Sequence, residues 1–138
     1  MTNEEILRTF MDLVWNKKDM ETVERFVHPE YTIYADTGDR YEGMTLDHAM
    51  YKERLKDSFI PFPDMHFEIL SAISDGDYVA INWIMTGTNL GKTGEMPPTG
   101  RPIRTMGMTQ YHFNNGRVCG HSQVFDRTTV MKQLGFIR

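Results

Sequence analysis

The chain has 138 residues, 19 acidic and 15 basic side chains, a net charge of −4 and an apolar fraction of 40%. Those proportions fit one globular domain, residues 1–138, large enough for a sizeable core. With no run of Lys or Arg, the chain lacks the basic stripe of a nucleic-acid binder and the charge that holds a protein to an anionic membrane surface. No window approaches the roughly 18 apolar residues of a membrane span. The acidic, amphipathic start "MTNEEILRTFMDLVW" is unlike a secretory leader, which points to a cytoplasmic protein.

The first element expected is a helix over residues 3–17, with a capping pattern at Thr2 and Glu5 and apolar Ile6, Phe10, Leu13 and Val14 at helical spacing. Asp19 can cap a shorter helix whose apolar face is Met20, Val23, Phe26 and Val27, stopped by Pro29. "YTIYAD" reads as a strand, Tyr31 to Ala35, followed by a turn with a short strand at Arg40 to Glu42. Thr45 is placed to cap a third helix that runs to about Phe59. From Met65 the period drops to two. Strands are expected in "MHFEILSAIS", "YVAINWIMTGTNL", "IRTMGMTQYHF" and "RVCGHSQVF", with a Gly/Pro-rich loop at "GKTGEMPPTGRP". The "NNG" between the last two strands suits a tight hairpin. "TTVMKQLG" closes the chain as a short helix. Segregated helices and antiparallel strands give an α+β fold, in which a curved sheet wrapped by three helices leaves an apolar cavity.

Strong catalytic motifs are missing. There is no Gly-rich phosphate loop, no HExxH and no GxSxG. The five His lack metal-ligand spacing, and the single Cys119 allows neither an internal disulfide nor a cysteine zinc cluster. The 11 Met residues serve either as flexible core filling or as an adaptable ligand wall.

The last hairpin carries the candidate chemistry. Met108, Gln110 and His112 share one strand face, and so do Ser122, Val124 and Asp126. If both sets project to one side, Gln110, His112, Ser122 and Asp126 line a single concave wall. A carboxylate and an imidazole in an apolar pocket make an acid/base site, since burial raises a carboxyl pKa toward the working range. Two readings of Asp126 stay open: catalytic acid/base, or N-cap of the closing helix accepting from Thr128 or Thr129. The odd-numbered Tyr111, Phe113 and Phe125 would then face outward and supply an apolar homodimer surface.

The order of these elements resembles the NTF2-like superfamily of cone-shaped α+β domains. Within it, "FMDLVWNKKDMETVERFVHPEY", "FPDMHFEI", "DYVAINWIMTGTNLG", "PPTGRPIRTMGMTQYHFNNGRV" and "VFDRTTVMKQLG" are similar to the SnoaL-like polyketide cyclases, or ester cyclases. The resemblance covers nearly the whole chain. It implies an intramolecular aldol condensation that closes a ring on a small hydrophobic polycarbonyl ester, with no metal and no organic cofactor. It also implies that Asp126 is the acid/base and that His112 and Gln110 bind the oxygens where charge develops. Trp15, Tyr51, Trp83, Met85 and Met108 are the expected apolar wall. The chain departs from the family pattern in two places. Ser122 stands where many relatives carry a bulky aromatic, and Tyr34 is the nearest polar residue where many carry a His in the first strand. A dehydratase or isomerase on the same fold, or a binding module without chemistry, remains as an alternative.

Overall fold

The computed structural model describes all residues, 1–138. Helix α1 (Asn3–Phe10) opens under the cap expected, with the Thr2 hydroxyl accepting from the Glu5 N–H at 3.2 Å. It continues into a wide π-helical turn, Met11–Asn16, which carries Met11 and Trp15 inward. A 3₁₀ turn at Met20–Thr22, capped by Asp19, leads to α2 (Val23–Phe26). Strand β1 (Val27–Asp36) starts four residues earlier than the sequence pattern suggests and runs straight through Pro29.

The short strand expected at Arg40 to Glu42 is instead a turn, and a two-residue strand β2 (Thr45–Leu46) follows it. Thr45 pairs with Thr32 of β1, their hydroxyls 2.9 Å apart, so it does not cap the next helix. Asp47 caps α3 (His48–Phe59), accepting from the Met50 N–H at 2.8 Å. Then come β3 (His66–Asp75), β4 (Tyr78–Thr88), β5 (Pro102–Asn114), β6 (Arg117–Phe125) and α4 (Arg127–Gln133).

The six strands form one sheet in the order β2-β1-β6-β5-β4-β3, antiparallel except for the parallel β1–β6 pair. Asn115 and Gly116 have φ of 51° and 76°, the positive values that a type I′ hairpin turn needs. The result is the α+β, NTF2-like cone, with a curved sheet whose inner face is wrapped by the N-terminal helices. Leu7, Phe10, Val14, Val23, Leu55 and Ile81 are buried between the two layers. Each such side chain contributes about 1.5–3 kcal/mol relative to exposure. No helix is long and apolar enough to cross a membrane.

Which face of the sheet looks inward is settled by burial. On β5, Ile103, Thr105, Thr109, Tyr111 and Phe113 are buried, whereas Met106, Met108 and Gln110 are exposed. Tyr111 and Phe113 therefore belong to the core rather than to the outward apolar surface expected of them, and Phe125 borders the cavity. Gly107 interrupts the inner row because the Trp83 indole crosses there. A Cβ on Gly107 would lie 2.3 Å from that ring.

Candidate functional site

Between sheet and helices lies a cavity of about 370 Å³, within the range of small-molecule sites. Most of its wall is apolar: Met11 and Trp15 from the π-helical turn, Phe62 and Met65 after α3, Trp83 and Met85 from β4. Met11, Met65, Met85 and Met131 all line it, so part of the Met content serves the ligand wall.

One end of the cavity is polar and tightly connected. Asp36, 2% exposed, closes β1. Its Oδ2 accepts from His121 Nε2 at 2.9 Å, from Arg54 Nη2 at 3.2 Å and from Gln123 Nε2 at 3.3 Å. Its Oδ1 accepts from Arg127 Nη2 at 3.3 Å. Arg54 reaches from α3 and also donates through Nε to Asp39 at 3.1 Å. His121 Nδ1 meets Tyr31 Oη at 2.6 Å. The Thr109 hydroxyl accepts from Trp83 Nε1 at 2.9 Å and donates to Gln123 Oε1 at 2.8 Å, which turns the Gln123 amide donors toward Asp36.

The electrostatics follow from this packing. Burial alone would push the Asp36 carboxyl up. The His121 hydrogen bond and the charges of Arg54 and Arg127 outweigh burial and hold it below the usual carboxylate range. Burial pulls His121 below the ordinary imidazole value, against the pull of Asp36, so it is neutral near pH 7. Burial raises the Tyr31 phenol well above its ordinary value.

Of the residues named from sequence, Trp15, Tyr51, Trp83 and Met85 line the cavity. Gln110, His112 and Ser122 do share a face, with Gln110 paired to Ser122, but it is the outer face of the sheet. Met108 is 61% exposed on that same face. Tyr34 also stands outside, stacked on His112 with ring centroids 4.6 Å apart. His112 is wedged between Tyr34 and Tyr78, and burial lowers its pKa.

Asp126 stands where the last strand gives way to α4. It is exposed and caps α4, with Oδ1 accepting from the Thr129 N–H at 2.9 Å. The Thr129 hydrogen bonds hold its carboxyl below the usual range, as a cap requires and opposite to a desolvated pocket acid. Asp126 does not border the main cavity. It edges a smaller pocket of about 240 Å³ that shares Asp36, Gln123, Phe125 and Arg127 with the main cavity.

Asp36, His121, Arg54 and Tyr31 were not singled out by sequence, and for Asp36 a bulge explains why. Between β1 and β6, Ile33 pairs with His121 and Ala35 with Ser122, so Tyr34 is an extra residue. That bulge turns Asp36 to the same side as Tyr31, although five residues of regular strand would place them on opposite sides. Between β5 and β6, Cys119 is extra in the same sense, as His112 pairs with Gly120 and Phe113 with Val118. The available signal was weak: an acid ending a strand in "YAD", and a His flanked by Gly in "CGHSQ".

The profile of the SnoaL-like polyketide cyclases matches residues 5–134. The chain belongs to this family. A protein of Acidithiobacillus ferrooxidans assigned as a polyketide cyclase is 38% identical, with 99% of this chain and 96% of that one covered and a TM-score of 0.92. IdmH of Streptomyces antibioticus, also assigned as a polyketide cyclase, is 23% identical over 98% of this SnoaL-like chain and 99% of its own, with a TM-score of 0.82. A SnoaL-like polyketide cyclase of Agrobacterium tumefaciens is 20% identical over 98% and 99%, with a TM-score of 0.80. At those lower identities the likeness is one of fold. No curated protein matches the chain in sequence. No group of three or more His, Cys, Asp or Glu side chains is placed to hold a metal ion.

Proposed function

We propose that this SnoaL-like protein is a cofactor-independent acid/base enzyme. It closes a ring by an aldol-type step on a small, hydrophobic polycarbonyl compound. The observation that carries the reading is the buried His121–Asp36 pair at the polar end of an otherwise apolar cavity. The apolar wall folds the substrate so that its reacting carbons meet. The polar end handles the proton that leaves the carbon between two carbonyls. Delocalisation of the enolate over those carbonyls keeps the barrier within reach of general acid/base catalysis, which supplies roughly 10²–10⁴-fold. Arg54 and Arg127 keep Asp36 ionised, and Asp36 can then stabilise an imidazolium at His121. Asp126 has no part in this reading beyond its cap.

His121→Asn tests it. The variant should lose ring closure on polycarbonyl esters while keeping its circular dichroism. Full turnover in the folded variant would overturn the reading.

We also infer a homodimer formed through the outer sheet face. Leu70, Ile73, Tyr78, Met106, Met108 and Val124 are 44–72% exposed there, an apolar area that favours a covering partner. Light scattering should give twice the 16.1 kDa chain mass, and Met108→Lys should shift it to monomer. A monomeric parent would refute the inference.

A further inference from the structure

His121 has no free ring nitrogen. Nε2 faces Asp36 and Nδ1 faces Tyr31. An ionised carboxylate accepts only, so the imidazole proton sits on Nε2, and bare Nδ1 accepts the Tyr31 O–H. Asp36 is no more open than His121. Its two oxygens already receive His121, Arg54, Gln123 and Arg127. All three line the cavity, and Tyr31 differs in its bonding: its oxygen makes one hydrogen bond, to His121, and its ring sits edge-on to that of Tyr51. A phenol that donates one hydrogen bond keeps acceptor capacity for a second partner.

We propose that Tyr31 is the catalytic residue that meets the substrate, and that His121 and Asp36 act through it as a relay. This rests on the acid/base reading above and names the atom that performs it. In the forward step the substrate C–H bond breaks, and its proton forms a bond with Tyr31 Oη. The Tyr31 proton passes at the same time to His121 Nδ1. The C–H electron pair becomes the enolate, and the new imidazolium is balanced by Asp36. After the enolate carbon has attacked the second carbonyl, Tyr31 gives its proton to the alkoxide and takes one back from His121. Nothing is consumed besides the substrate, and the chain of groups returns to its starting state. The relay removes the need for a phenolate, which burial of Tyr31 disfavours.

Two measurements test this. The first needs no substrate: ¹⁵N NMR of the His121 ring in the wild-type protein. The proposal expects the proton on Nε2 and an acceptor Nδ1 whose resonance moves in Tyr31→Phe. A proton on Nδ1 overturns it and leaves the acid/base role of His121 standing. The second compares α-proton exchange into a panel of aryl ketones and β-keto esters in deuterated water. Tyr31→Phe should lower kcat roughly 100-fold or more, as should His121→Asn, with KM little changed. A folded Tyr31→Phe that exchanges at the wild-type rate, while His121→Asn does not, overturns the role of Tyr31 alone. Wild-type exchange in both variants overturns the acid/base reading together with it.

Discussion

Asp36→Asn is the substitution in which structure and chemistry are most tightly joined. The carboxylate is 2% exposed, and donors from His121, Arg54, Gln123 and Arg127 converge on it. Asparagine keeps the shape but replaces an acceptor oxygen with an NH₂ among those donors. It also removes the charge that balances Arg54, itself 6% exposed. Breaking a buried pair by removing one partner costs about 3–5 kcal/mol. Arg54 keeps Asp39 at 3.1 Å, which places the expected loss near the lower end, about 3 kcal/mol. For a chain of this size that corresponds to a fall in Tm of about 10 °C. Urea denaturation measures it directly, and the slope m should stay constant while the midpoint falls. An unfolding free energy within about 0.5 kcal/mol of the parent would refute the network as a cooperative buried unit.

Further outcomes follow from the same geometry. Asp126→Asn should be close to neutral in stability, because asparagine caps a helix as well as aspartate, whereas Asp126→Ala should lower the melting temperature and leave turnover intact. Stability should fall as pH drops below about 6.5. There the unfolded chain binds a proton at His121 that the folded chain, with its lowered pKa, refuses; calorimetry across pH 5–8 checks the sign. Asp36 adds a loss of the same sign at lower pH, where the unfolded chain takes up a proton at this carboxyl that the folded chain, with its lowered pKa, refuses; stability rising toward acid would contradict both. Gly107→Ala should cost about 1–3 kcal/mol by overpacking, with a change in tryptophan fluorescence, since the new Cβ would lie 2.3 Å from the Trp83 ring.

The fold was largely legible in the sequence because its signals are local. The Thr2 cap, the alternation of β5 and the Asn115–Gly116 turn each rest on a few neighbouring residues. The family pattern is spread over most of the chain and needs no knowledge of side-chain direction. The site was harder to read because it depends on which strand face turns inward. The alternation of β5 separates Tyr111 from Gln110 and His112 but does not say which set meets the helices. Polar Gln110 and His112 look like an active site in sequence. Burial shows that Thr109, Tyr111 and Phe113 took the inner positions.

The bulge at Tyr34 added a second difficulty, since one extra residue reverses every side chain beyond it. Asp36 reaches the cavity only because of this bulge, and no local pattern in "YTIYAD" announces it. Asp126 illustrates the converse. Its position before a short helix was compatible with both readings, and the geometry supplies the helix amide that makes it a cap.

The central claim is that chemistry belongs to the cavity end formed by Asp36, His121 and Tyr31, and not to the hairpin's outer face. The most direct measurement is a titration of the histidine ring resonances with an unreactive aromatic diketone. His121 should shift in a saturable way while His112 stays fixed. A saturable shift at His112 with an unmoved His121 would contradict it.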